Sequence, residues 1–200
     1  MPDDPNASRT SALFSVIELG LYGDVDFRGP GVLLGERHPL SIIQVDFFTN
    51  KPNGDMDGWE IFDCVQVPHI PNTASGDGRP RILWTGPNRW LIVEPERRDL
   101  EATLRETAEA ASVVDLGHAR SSIRISGRHA RHVLMKAAPL DWHPSAFRSG
   151  QCAQTTAFHV SALIDCREAD TFDLYVARGF AQSFWESLIE AAMEYGIRVG

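Results

Sequence analysis

Apolar and polar positions alternate along much of the chain, and the alternation predicts strands. Ser41 to Phe48 (SIIQVDFF) is rich in β-branched and aromatic residues and runs into the turn-forming cluster Asn50 to Gly54, so it reads as a strand. Arg81 to Trp84 and Trp90 to Val93 are short apolar runs on either side of Thr85-Gly86-Pro87-Asn88, the residue types of a tight connection, which predicts a β-hairpin. Val113 to Leu116 and Ser121 to Ser126 follow as strands. In the second, Ile123 and Ile125 alternate against Arg124 and Ser126, and Gly127 ends it. Beyond a loop from Pro139 to Gly150, three more strands are predicted at Cys152 to Ala157, His159 to Asp165 and Thr171 to Ala177.

Elsewhere the period lengthens to that of a helix. From Arg97 to Ala111, Leu100, Leu104, Ala108 and Ala111 recur on one side while Glu101, Arg105, Glu106 and Glu109 form a solvated face. Arg128 to Ala138 carries Ala130, Val133, Leu134 and Ala137 at helical spacing and stops at Pro139. Phe180 to Tyr195 shows the stripe Phe180, Phe184, Leu188, Ala192, terminated by Gly196. Trp59 to Val67 fits a buried helix or a strand about equally, with Pro68 and Pro71 closing it; the balance tips to a short helix.

The order strand, helix, three strands, helix over the last part of the chain implies an α+β fold, with mainly antiparallel sheets and helices on one face. Residues 1–35 hold several prolines and glycines and only Leu13 to Tyr22 is apolar enough to dock, so this segment reads as an N-terminal arm that buries itself against a partner. Residues 36–200 then form the main domain, with two α+β lobes meeting near residue 112 as its expected subdivision.

Composition narrows the function classes. A formal charge of -8 disfavours a phosphate-binding surface, and the arginines Arg120, Arg124, Arg128 and Arg131 would point in different directions on a strand followed by a helix, so no nucleic acid is expected as a partner. No basic stretch precedes an apolar run near the start and no window approaches the ~18 apolar residues needed to cross a bilayer, which implies no membrane partner and a cytoplasmic location. The irregularly spaced Cys64, Cys152 and Cys166 suit free thiols in a reducing compartment.

Candidate chemistry is sparse. Asp141, His143 and Cys152 lie close in sequence, yet Cys152 opens an apolar strand, which argues for a structural thiol and not a nucleophile. His129 and His132 stand three apart on a helix without a placed third ligand, so no metal is assigned. Gly29, Gly31 and Gly35 have the wrong spacing for a dinucleotide loop. Asp115, Asp141 and Asp173 suit turn caps or partners of arginine. Trp84, Trp90, Trp142 and Trp185 beside Arg89 and Arg124 fit either an aromatic core or an interface, and Trp142, in a loop between Asp141 and His143, is the leading interface candidate. Catalytic, cofactor-binding and metal-binding residues are therefore all expected to be absent.

Several stretches read together resemble the gamma subunit family of heterotetrameric sarcosine oxidases. They are Ile70-Pro71-Asn72-Thr73-Ala74, the hairpin Leu83 to Ile92 with Trp84, Gly86, Pro87, Arg89 and Trp90, and Val114-Asp115 followed by Ser122 to Gly127 with Arg124. Pro139 to Phe147 with Asp141, Trp142 and His143 runs into Gly150 to Thr155 with Cys152 and Gln154, and Thr171 to Val176 carries Asp173. Residues 1–60 match poorly. The resemblance implies a fold similar to the folate-binding part of the glycine cleavage T-protein, and a non-catalytic chain that supports the alpha, beta and delta subunits of an enzyme that demethylates sarcosine to glycine. FAD, FMN, NAD and tetrahydrofolate would then belong to those other subunits, with none in this chain. The same resemblance leaves open a gamma subunit of a related N-methyl amino acid dehydrogenase, such as one acting on N-methylglutamate, or a free-standing folate-dependent one-carbon transferase.

Overall fold

The computed structural model describes residues 10–48, 60–61, 65–77, 79–97, 99–108 and 111–200. Fourteen strands and three α-helices follow one another among them: β1 Gly20–Tyr22, β2 Val32–Glu36, β3 Leu40–Phe47, β4 Glu60–Ile61, β5 Val65–Gln66, β6 Ala74–Ser75, β7 Arg81–Gly86, β8 Arg89–Pro95, α1 Leu100–Thr107, β9 Ala111–Asp115, β10 Arg120–Ser126, α2 Ala130–Ala137, β11 Cys152–Ala157, β12 Val160–Glu168, β13 Thr171–Ala177, α3 Ala181–Ala192 and β14 Ile197–Val199. The fold is α+β. A seven-stranded sheet runs β1-β14-β2-β10-β13-β12-β11, a five-stranded sheet runs β6-β7-β8-β3-β9, and β4 pairs with β5. Every ladder is antiparallel except β2 with β14.

The seven-stranded sheet has two different faces because its strands alternate. Ile123 and Ile125 of β10 and Phe172, Leu174 and Val176 of β13 are fully buried on the face that packs Val133 and Leu134 of α2 and Phe184, Trp185 and Leu188 of α3. Each such aliphatic side chain contributes about 1.5–3 kcal/mol by leaving water. The opposite face presents Cys152, Leu163 and Tyr175, which meet Leu40, Ile42, Leu83, Leu91 and Val93 of the five-stranded sheet. The helix α1 covers that second sheet's other side through Leu100 and Leu104. The chain passes from the large sheet to the five-stranded one between Glu36 and Leu40 and back between Asp115 and Arg120.

At the start of α2 the chain reverses through Gly127, whose φ is +109°; a Cβ there would lie 2.6 Å from the Gly31 carbonyl oxygen, so no larger residue fits the turn that brings β2 beside β10.

Three expectations change. Residues 20–36 are not an arm: β1 and β2 complete the large sheet, β2 lies between β10 and β14, and Leu13, Val32 and Leu34 are buried in the same core as the helices. The physical reason is long-range pairing, since Val199 closes on Gly20 on one side and Leu34 on the other. In the stretch expected as a helix, residues 60–61 and 65–66 are short paired strands; residues 59 and 62–64, with Cys64, lie outside the described residues. Phe180 is 56% exposed, and the buried stripe of α3 is Ala181, Phe184, Trp185, Leu188 and Ala192.

Candidate functional site

The most concentrated chemistry lies between the sheets, on the polar side of the seven-stranded one. Cross-strand register places Arg124 opposite Asp173, Asp173 opposite Asp165 and Asp165 opposite Cys152, a single row across β10, β13, β12 and β11. Both carboxylates are fully buried. Arg81, reaching across from β7, donates to Asp165 from Nε at 2.9 Å and from Nη2 at 2.5 Å. Asp173 accepts from Arg124 Nε at 2.7 Å and Nη2 at 2.8 Å, and from Arg37 Nη1 at 2.8 Å. Arg167 lies 3.6 Å from Asp165 and 3.8 Å from Asp173.

Burial pushes the Asp165 carboxyl above its ordinary value, an effect that Arg81 and Arg167 offset only in part. Burial likewise works against the Arg81 cation, but the two-pronged bond to Asp165 outweighs it and holds the guanidinium charged. We therefore read Arg81 and Asp165 as an ion pair. Burial, then the two nearby carboxylates, drives the Tyr175 hydroxyl far above its ordinary value and keeps it neutral. Two buried carboxylates, each held by guanidinium groups and shut off from solvent, are poorly placed to exchange protons with a substrate; the row clamps the two sheets together.

Asn72, Trp84, Cys152 and Gln154 meet at a seam where the edge strand β11 lies against β7, whereas Gly86 and Pro87 lie at the hairpin turn that ends β7 and Arg89 and Trp90 on β8. The Asn72 carbonyl accepts the Cys152 N–H at 2.9 Å, and Asn72 takes a φ of +61° to present it. Gln154 Nε2 donates to the Thr85 carbonyl, and the Cys152 thiol donates to the carbonyls of Thr73 and Trp84 at 3.4 Å. Gly86 and Pro87 make the hairpin turn between β7 and β8, with Asn88 at φ +57°. Arg89 pairs with Asp46, and Trp90 donates to the Pro68 carbonyl at 2.8 Å from a buried ring.

Asp141, His143 and Cys152 are not joined. Asp141 caps its own turn by accepting the His143 N–H at 2.9 Å, and the His143 ring meets Ser145 Oγ at 2.7 Å. The Cys152 thiol, buried first and next to Asp165 second, is pushed up to about 12, and burial lifts Cys166 to about 11. Neither supplies a thiolate at neutral pH. His129 and His132, with ring centroids 5.3 Å apart, both lie against Tyr195. Among the described residues no group of three or more His, Cys, Asp or Glu is arranged to hold a metal.

The interface candidate Trp142 is corrected by its burial. It is 2% exposed, edge-on to Phe147 and Phe172, and its Nε1 donates to the Ala138 carbonyl at 3.1 Å. Arg131 donates to the Trp142 carbonyl at 2.8 Å and lies over the Phe172 ring. The loop 139–147 thus plugs one end of the helix-side core within this chain.

Exposed apolar surface instead gathers where the five-stranded sheet leaves the large sheet uncovered. Leu21 of β1 stands opposite Arg198 of β14, which stands opposite Leu33 of β2, which stands opposite Ser126 of β10. Leu19, Leu21 and Leu33 are 75%, 61% and 43% exposed, and grooves of about 590 Å³ and 350 Å³ flank Arg198 on this face. Of this face the sequence marked only Leu19 and Leu21, within the apolar stretch Leu13 to Tyr22; Leu33 and Arg198 were not marked, nor, as a second set, Arg37, Arg81, Asp165 and Arg167. The available signal for the second set was charge at the centre of apolar strands, where burial demands a partner.

Comparison with known proteins follows this geometry. A family profile described as "Sarcosine oxidase, gamma subunit family" matches residues 65–194. The gamma subunit of sarcosine oxidase from Arthrobacter sp. is 34% identical over 101 residues, 50% of this chain and 48% of that one. The gamma subunit from Corynebacterium sp. (strain P-1) is 31% identical over 132 residues, 65% of this chain and 64% of that one. The chain thus spans about half to just under two thirds of the length of these curated relatives. Among solved structures, a chain of the heterotetrameric sarcosine oxidase from Corynebacterium sp. U-96, in complex with pyrrole 2-carboxylate, superposes with a TM-score of 0.74 at 23% identity, covering 82% of this chain and 85% of that chain. Aminomethyltransferase T of the glycine cleavage system from Bartonella henselae superposes with a TM-score of 0.57 at 14% identity, covering 85% of this chain and 48% of that one, so the fold is shared with it.

Proposed function

Because the chain belongs to the sarcosine oxidase gamma subunit family, we propose that it is a non-catalytic subunit that docks, through the uncovered face of its large sheet, on the alpha, beta and delta subunits of an enzyme demethylating an N-methylated amino acid, sarcosine first. FAD, FMN, NAD and tetrahydrofolate belong to those subunits in this reading, and the complex works in the cytoplasm. No helix among the described residues is long and apolar enough to cross a membrane.

The observation that carries the reading is the row Leu21, Arg198, Leu33 with Leu19 beside it. Apolar side chains concentrated on a sheet face leave a solvated chain with an unfavourable surface that a partner relieves. Arg198, standing between Leu21 and Leu33 in a chain of net charge -8, favours an acidic group on the partner. The buried carboxylates between the sheets, each paired with arginine, support an architectural role over acid-base chemistry.

The test is a pair of variants, Leu21→Asp and Leu33→Asp, co-expressed with the other subunits. Each is expected to weaken assembly roughly 100-fold, since a desolvated carboxylate replaces an apolar contact. The unfolding free energy of the separate chain should stay within about 0.5 kcal/mol of wild type, because both residues are already exposed. Full assembly by both variants would remove this face from the account.

A further inference from the structure

Where β10 begins and β13 ends, a small enclosed cavity opens beneath the start of β3, lined by Arg37, Arg120, Ser122 and Arg178 among others. Its volume is about 10 Å³, the room of one water-sized sphere. Arg120 pairs in register with Ala177, the residue before Arg178, and the Arg178 N–H donates to the Ala119 carbonyl at 2.9 Å, so the two strand ends bring both arginines to the cavity. Ser122 lies two residues along β10 from Arg120 and so shares its face.

The charges around this space do not balance. Arg37 is committed to Asp173, and the Glu36 carboxylate, which also borders the cavity, accepts from Ser11. No acidic side chain pairs with Arg120 or Arg178 among the described residues. Arg120 is more than half enclosed, and that burial without a partner draws its pKa below the ordinary arginine value. The Ser122 hydroxyl is buried and unsatisfied. His38 stands exposed at the rim and adds no negative charge.

We propose that this cavity binds one monatomic anion of chloride size, held by guanidinium N–H groups of Arg120 and Arg178 and by the Ser122 hydroxyl. A water molecule would satisfy the hydroxyl but leave the half-buried Arg120 guanidinium without an anionic partner. A tetrahedral oxyanion or a carboxylate is larger than the space. The bound ion would join the turn after β9 to the end of β13, next to the point where the chain changes sheets.

The experiment titrates the full chain with sodium chloride at ionic strength held constant by sodium gluconate, following the melting temperature and the chloride NMR line width. The wild type is expected to gain stability saturably with chloride, to broaden the chloride resonance, and to accept bromide but not sulfate. Arg120→Met should bind chloride at least about 10-fold more weakly. Ser122→Ala, which leaves the strand intact, should weaken it several-fold and keeps the test decisive if the arginine variant fails to fold. Equal responses to chloride and gluconate in the wild type, or identical broadening in the wild type and both variants, would overturn the site; sulfate binding as tight as chloride would overturn the size argument.

Discussion

Trp142→Ala is expected to destabilise the isolated chain by about 3–5 kcal/mol, the range for removing a buried large aromatic side chain. For a chain of 200 residues that corresponds to a drop in melting temperature on the order of 10 °C. The indole fills the end of the core that holds α2 and α3 against the large sheet, and Phe147 and Phe172 meet it edge-on at 5.5 Å and 5.7 Å. Truncation opens a cavity beside Phe147 of the loop and Phe172 of β13, and it leaves the Ala138 carbonyl without its side-chain donor. Trp142→Phe keeps most of the volume and should cost about 1–2 kcal/mol. Denaturant unfolding of the chain alone measures both. An unchanged midpoint with impaired assembly would return Trp142 to the interface and place the loop 139–147 among the docking elements.

Breaking the clamp between the sheets should have a comparable effect. Arg81→Met leaves Asp165 buried with only the more distant Arg167 for compensation, and Asp165→Leu leaves Arg81 enclosed without its carboxylate. Each single substitution is expected to cost about 3–5 kcal/mol, because removing one partner of a buried pair strands the other charge. The double variant Arg81→Met with Asp165→Leu should cost less than either single, since both charges leave together and apolar groups of similar length replace them. A complete double-mutant cycle by denaturant unfolding checks this. Additive losses would show that the two side chains contribute independently, and the pair would not then be the clamp that the geometry describes.

The strands that carry both sheets were legible because each is long enough to show its period. Ser121 to Ser126 and Thr171 to Ala177 alternate cleanly, and the turn residues Gly86, Pro87 and Gly127 mark their ends. Short strands were not legible. Gly20–Tyr22 and Ile197–Val199 have three residues each, and nothing local says that segments from opposite ends of the chain pair with one another. That is why residues 1–35 read as an arm although Val32 and Leu34 belong to the core. Trp142 was misread for a related reason: a loop without periodicity gives no sign of the cavity it closes. The ion pairs were half visible, with Arg124 and Asp173 singled out in neighbouring strands, while Arg81 and Asp165 come from different sheets and meet only in the folded chain. The docking face was visible in part, since Leu19 and Leu21 lie in the apolar stretch expected to meet a partner, while Leu33 looks like a core residue until the extent of the second sheet is known.

The central claim is that this chain contributes surface and no cofactor to a larger enzyme, and the visible absorption spectrum of the purified chain tests it most directly. Expressed alone with an affinity tag, the chain is predicted to be colourless; captured by the same tag after co-expression with the other subunits, it is predicted to bring down several further chains and a flavin spectrum. A flavin spectrum retained by the chain alone, or a colourless single chain recovered from the co-expression, would contradict the account.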